Sequence, residues 1–423
     1  MKKLRLISIT GVFLTLIGCG KSSISKPEDY QFIFDVNHVK QLEPQARAYM
    51  NWLEKDSLSE QELSKFVGVT ENLYRVSYDS LLVQRAIGKF EPMLSNDSLQ
   101  NADVFRHLGK LHFLLGKQKI AYRLADDALS LLKNYDSTAY LLIEVHKALG
   151  NYDESDYFVR AKQDEDYYRY HLLKGNLYWR NSFDYYKALA EYQKALRAAE
   201  KHSPKAESEA LLKLAQLKFY RGHLQESYEF LIQALTKSPL HRKAAVFLSE
   251  FIYRVDENPQ EALKIIDFLE TQTQRKYFIL KATYSKAAQV TEAVDWNRLE
   301  SIANHSVLDE FYRLEHLYYL IDYKKDFEQA EKLILEEIKD YKDFEHLLIA
   351  AVAFDALGKS EYAIEILDKK IVPMMQYSPK LLYALKIYKA NQADEKVKKI
   401  YQHLNEHRHL LSADEEHLLD TYK

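Results

Sequence analysis

Four histidines crowd the end of this 423-residue chain, at His403, His407, His409 and His417. His403 and His407 stand at i and i+4, which puts both imidazoles on one face of a helix. Two such rings can hold a metal, but a stable site needs further ligands brought in from elsewhere. The pattern reads as a solvated face near the C-terminus, and no metal is assigned. The acidic runs Asp164-Glu165-Asp166 and Glu336-Glu337 could do acid–base work if buried in a cleft. On amphipathic helices such runs are solvated faces. No GxGxxG, GxxxxGK[ST], HExxH or GxSxG pattern occurs. The sequence thus assigns no catalytic residue and no cofactor, and the chain is read as a non-enzyme.

One further side chain could carry chemistry. Cys19 is the only cysteine, which excludes an intrachain disulfide. It follows a positive start (Lys2, Lys3, Arg5) and an apolar run from Ile7 to Ile17 that is too short to span a bilayer well. Leu16-Ile17-Gly18-Cys19 resembles the lipobox of bacterial lipoproteins. The resemblance implies acylation of Cys19, loss of residues 1–18 and attachment to a membrane through the N-terminal lipid. Processing removes three cations and no acid, which moves the formal charge from −3 to −6 and argues against nucleic acid as the main partner. Gly20 stands where an Asp would retain an enterobacterial lipoprotein. Residues 20–26 also lack the acidic run that resembles a surface-export signal in Bacteroidota lipoproteins. The expected location is the outer membrane, facing the periplasm.

The elements that would position any site announce themselves by spacing. Gly116 and Gly150 lie 34 residues apart, and Gly222 and Gly358 lie 136 apart, four times 34, in a chain with only 11 glycines. Each sits between two amphipathic stretches, the mark of stacked helix-turn-helix units. The stretch Glu209–Pro239 resembles a tetratricopeptide repeat, with Leu211, Leu214, Ala215, Gly222, Ser227, Ala234 and Pro239 in the family's places. Small residues let the two helices cross closely, and glycine permits the tight turn. Asn101–Tyr135, with Phe105, Leu108, Gly109, Gly116, Ala121 and Ala128, keeps the register. So does Phe344–Tyr377, with Ala351, Gly358, Ala363 and Leu367. Residues 275–310 fit worst, and the 72 residues from Gly150 to Gly222 hold about four more than two periods. The resemblance implies an all-α, right-handed superhelical solenoid of antiparallel helix pairs. Its expected layout is a signal peptide (1–18), acylated Cys19 with a linker (19–36), N-terminal capping helices (37–100), eight to nine repeats (101–409) and a C-terminal capping helix (410–423). Ser59 with Glu62 and Ser412 with Glu415 read as capping boxes.

In that family the first helix of each unit lines the concave side. Its inward positions correspond here to Arg106, Lys110 and Phe113, then Tyr140, Glu144 and Lys147, then Arg169, Asn176 and Trp179, then Gln216 and Phe219. Aromatic beside basic groups suit an extended peptide with some acidic character. The carboxylate clamp known in the family is not expected, because Leu141 and Leu173 occupy two of its polar places. The leading expectation is a lipid-anchored scaffold that binds other envelope proteins or peptides in an assembly or secretion complex. The alternative is a glycan-binding lipoprotein of the starch-utilisation (SusD-like) type, partnered with a TonB-dependent receptor. With 8 prolines and 11 glycines, the chain holds little material for that type's long loops.

Overall fold

Whether the repeat is real depends on how the chain turns between helices. In the computed structural model, residues 23–423 are described except 36–37, 56, 78, 95–101, 132–134, 162–166, 183, 240, 273–274, 291–293, 304–309, 338–343 and 375–378. Cys19, residues 1–18 and Asp164-Glu165-Asp166 lie outside the described residues. A short α1 (Pro27–Tyr30) precedes α2 (His38–Glu54), α3 (Glu60–Ser77) and α4 (Ser80–Leu94). Among the described residues nine helix pairs follow: α5 (Ala102–Leu114) with α6 (Gln118–Ser130), α7 (Tyr135–Ala148) with α8 (Tyr152–Ala161), α9 (Tyr168–Ser182) with α10 (Tyr185–Ala199), α11 (Pro204–Tyr220) with α12 (Leu224–Lys237), α13 (Arg242–Val255) with α14 (Pro259–Gln272), α15 (Phe278–Ala287) with α16 (Trp296–Ala303), α17 (Glu310–Tyr318) with α18 (Phe327–Glu337), α19 (Phe344–Ala356) with α20 (Ser360–Ile366), and α21 (Leu381–Ala390) with α22 (Asp394–Glu406). The last helix is α23 (Ala413–Asp420). From α2 onward nearly every helix packs on the next, α15 and α16 being the weak link, so the chain is an all-α superhelical solenoid of antiparallel pairs.

Gly116, Gly150, Gly222 and Gly358 all adopt left-handed φ, between 70° and 76°. Each ends a first helix in a Schellman-type turn. At the first of them, the Gly116 amide donates to the Phe113 carbonyl at 3.0 Å and the Lys117 amide to the His112 carbonyl at 2.9 Å. The same conformation recurs at Glu257, Gln289, Lys325 and Gln392, with φ of 53–60°. These positions continue the period through the units whose motif has decayed, including the poorly fitting 275–310. Gln289 and Gln392 keep the Schellman bonds, whereas at Glu257 and Lys325 the closing bond reaches one residue further back, Asn258 to Ile252 and Asp326 to Leu320. Turn geometry has therefore outlasted turn sequence.

Small residues hold the crossings as expected. Ala121, Ala188, Ala234, Ala262, Ala330 and Ala363 are completely buried. Ala215 and Ser227 are too, and the Ser227 hydroxyl donates to the Ala215 carbonyl at 2.8 Å. The extra residues between Gly150 and Gly222 lengthen α10 to 15 residues and α11 to 17, against 13 for α6. In that irregular unit Gly175 makes room for Tyr192: a Cβ there would stand 2.4 Å from the tyrosine ring. Ser59–Glu62 and Ser412–Glu415 both form reciprocal caps.

The linker expectation for 19–36 does not describe residues 23–35. That segment is a strap lying on α12 and α14. Asp256 accepts from the Ile24 amide at 2.7 Å and the Ser25 amide at 3.2 Å, and Tyr228 donates to Asp29 at 3.1 Å. Tyr30 and Ile33 are 1% exposed, and Phe34 meets Phe268 edge-on at 5.0 Å. The reason lies in Tyr30-Gln31-Phe32-Ile33-Phe34, whose apolar side chains find a partner surface more than 190 residues away. The opposite end also returns to the middle. Arg254 on α13 donates to the Leu410 carbonyl at 3.0 Å and pairs with Glu415. Arg242 on the same helix donates to the Arg75 carbonyl of α3 at 3.2 Å. Both ends of the solenoid thus close onto α13, and the concave face becomes a lumen.

Candidate binding lumen

Inside the turn, α7, α9, α11 and α13 bring cations together. Lys147, Arg169, Lys213 and Lys243 converge from four successive first helices, with Lys205 and Arg242 at the helix starts. Burial pushes the Lys213 ammonium down to about 8, and Lys243 and Lys147 add to the shift; Glu144 and Glu209 offset only part of it. Lys243 is likewise depressed by burial, Arg75 and Arg242. His241 falls to about 4, through burial and then Lys243, Lys205 and Lys213. Burial works against the ionised form of Glu144, yet Lys147, Lys243 and Arg169 outweigh it and hold this carboxyl below its ordinary value. Its side chain is still 49% exposed. A group that touches water and is also ringed by protein belongs to a lumen. Lys205, Arg242 and Lys243 sit in the first turns of α11 and α13, where the helix dipole is already positive. Folding alone would not choose cations there.

Beyond the middle of α13 the character changes. Tyr318 donates to Glu345 at 2.5 Å, and Lys380 pairs with the same carboxylate while donating to Tyr318 at 2.7 Å. Tyr383 donates to Asp322 at 2.7 Å. Arg254 binds Glu415. Burial, then Glu345, pushes the Tyr318 hydroxyl far above its ordinary value. Burial also raises Glu250, which Arg254 and Lys380 only partly offset. The tyrosine, lysine and carboxylate bonds tie α17, α19 and α21 to one another, and Arg254 with Glu415 and Leu410 holds the C-terminal end to α13.

The inward set expected from the sequence divides three ways. Glu144, Lys147, Arg169 and Gln216 share the cationic part of the lumen; Gln216 accepts from Lys213 at 3.2 Å, and Arg169 donates to the Tyr168 hydroxyl at 3.0 Å. Several others are engaged within the scaffold. Arg106 pairs with Asp103 and Lys110 with Glu71, Tyr140 packs on Tyr167 at 5.1 Å, Asn176 accepts from Tyr192 at 2.7 Å, and Trp179 stacks on Tyr220 at 5.9 Å. Phe113 and Phe219 belong to the packing instead. Phe113 is half-buried against the core of α6 and α7. Phe219 is 5% exposed between Phe247 and Phe251, so the inward placement expected of it is corrected. Sequence mapping passed over Lys213 and Lys243. Lys213 carried a signal, since it and Gln216 are the two polar residues in Ala210–Leu217.

His403, His407 and His409 are half-buried packing groups, not the solvated face expected, and His417 is exposed. His407 Nδ1 lies 2.9 Å from the His403 carbonyl, and His409 rests on Gly222 and Phe219. Among the described residues no three His, Cys, Asp or Glu side chains are grouped to hold a metal, and no helix is long and apolar enough to cross a membrane.

No family model and no curated protein matches the chain. Solved structures similar to it include YrrB, a tetratricopeptide-repeat protein with an unusual peptide-binding site (18% identity, 47% of this chain and 97% of that one, TM-score 0.29). Yeast Tom70 matches at 13% identity over 94% and 96% of the two chains, with a TM-score of 0.36. The human IFIT1 dimer with PPP-AAAA matches at 15% identity over 74% and 72%, with a TM-score of 0.40. These overlays are loose, and the fold assignment rests on the helix pairs and their turns.

Proposed function

We propose that the chain is a lipid-anchored envelope scaffold whose lumen holds an extended, acidic segment of a partner protein. The observation that carries the binding reading is the convergence of Lys147, Lys213 and Lys243, where Lys213 is pushed down to about 8. A cluster that raises its own electrostatic cost is relieved by an incoming anion. Acylation of Cys19 supplies the anchor. Residue 19 lies four residues before Ser23, about 14 Å of extended chain. The strap fixes Ile24 and Ser25 at Asp256, so the lipid would hold the solenoid by its middle.

A photo-crosslinking residue at Gln216 in the full-length, detergent-extracted protein tests the lumen. The expected products map to acidic segments of envelope proteins. Products confined to RNA, or tighter binding of soluble glycans than of acidic peptides, would overturn the reading. The mass of the mature N-terminus checks the anchor separately: the expected species begins at a triacylated Cys19.

A further inference from the structure

On the outer face, away from the lumen, α6 and α8 flank a cavity of about 420 Å³ whose floor is α7. Its walls are aromatic. Tyr122 meets His146 edge-on at 5.3 Å, His146 stacks against Phe158 at 5.8 Å, and Tyr157 stands edge-on to Phe158 at 5.7 Å. Its rim is acidic: Asp126, Asp153 and Glu154 are all exposed, and among the described residues no Lys or Arg pairs with any of them. Two features do not serve the packing. Tyr157 is 67% exposed, a large ring with nothing covering it, and His146, only 6% exposed, leaves its Nδ1 without a hydrogen bond. Burial also holds the His146 ring below its ordinary value despite Glu154 and Asp126 nearby, so the floor is neutral and adds no repulsion.

We propose that this cavity binds a substituted ammonium group, with its methylene or methyl carbons against Tyr122, Tyr157 and Phe158 and its charge facing Asp126, Asp153 and Glu154. Ring faces attract cations through their quadrupole, and carboxylates at the rim select charge over mere apolar shape. A lysine side chain of a partner and a small quaternary amine share this chemistry. The cavity opens between the second helices α6 and α8, on the side of α7 away from Glu144 and Lys147, so it can act while the lumen is occupied.

The test uses the full-length protein in detergent and three probes followed by NMR of the His146 ring. Choline and N-acetyl-lysine methylamide are the cations, and 3,3-dimethylbutan-1-ol is the uncharged isostere of choline. The expected result is millimolar binding of at least one cation with a shifted His146 resonance, and at least tenfold weaker binding of the alcohol. The tighter of the two cations assigns the source. Asp153→Asn with Glu154→Gln should weaken the cation at least tenfold, and so should Tyr157→Ala. All three side chains are exposed, so the melting temperature should hold. Equal binding of the alcohol, or undiminished binding by the Asp153/Glu154 variant, would overturn the proposal.

Discussion

The two halves of the lumen use charge in opposite ways. Between α7 and the start of α13, cations gather with too few acids to match them, and Lys213 is pushed down to about 8. Between the end of α13 and α23, charges and hydroxyls are matched: Tyr318 and Lys380 on Glu345, Tyr383 on Asp322, Arg254 on Glu415. The turns differ as well. Gly150 and Gly222 make the left-handed turns of the first part, whereas Glu257, Gln289, Lys325 and Gln392 bear left-handed φ later, beside Gly358. The second half accepts local backbone cost and is held by long-range polar seams. The first half is locally sound and carries its cost in the lumen. Stability spent at one exposed cluster is the usual sign of a ligand site.

The largest expected effect lies in the closed half. Glu345→Ala removes the acceptor of both Tyr318 and Lys380 and should cost roughly 2–3 kcal/mol in urea unfolding. A loss below about 0.5 kcal/mol would erase the contrast between the halves. In the open half, Lys213→Met should instead stabilise the protein by roughly 1–2 kcal/mol, because an ammonium disfavoured by its surroundings is replaced by an apolar side chain of similar length. Destabilisation would show that Lys213 is satisfied after all.

The pH dependence follows from the same group. Between pH 8 and the ordinary lysine value near 10.5, Lys213 binds fewer protons in the folded chain than in the unfolded one. Unfolding then takes up protons, and this contribution to stability rises with pH across that window. Above about pH 10 the buried tyrosines reverse the trend, since Tyr318 keeps its proton when folded and loses it when unfolded. The rising limb should be smaller in Lys213→Met. The smallest effect is at the decayed turns. Gln392→Gly should stabilise by about 0.5–1 kcal/mol by relieving positive φ, measured by thermal melting.

Much of this architecture was legible from spacing. Glycine turns and small residues at crossings encode helix pairing locally, and Gly116, Gly150, Ala215 and Ser227 do in the structure what their positions imply. The strap was not legible, because nothing local tells Tyr30 and Ile33 that their partner surface lies on α12 and α14. The lumen was half legible. Period counting found Glu144, Lys147, Arg169 and Gln216, but it assumed ideal helices. Within α11 the count passed over Lys213, three residues before Gln216, and took Phe219 as inward although Phe247 and Phe251 cover it.

The central claim is that the open half exists for an acidic segment. The direct measurement is fluorescence anisotropy of a labelled, extended acidic peptide against the full-length protein and its Lys213→Met/Lys243→Met variant, at low and physiological salt. The account predicts binding that weakens with salt and at least a tenfold loss in the variant. Equal affinity of the two proteins, or binding indifferent to salt, would contradict it.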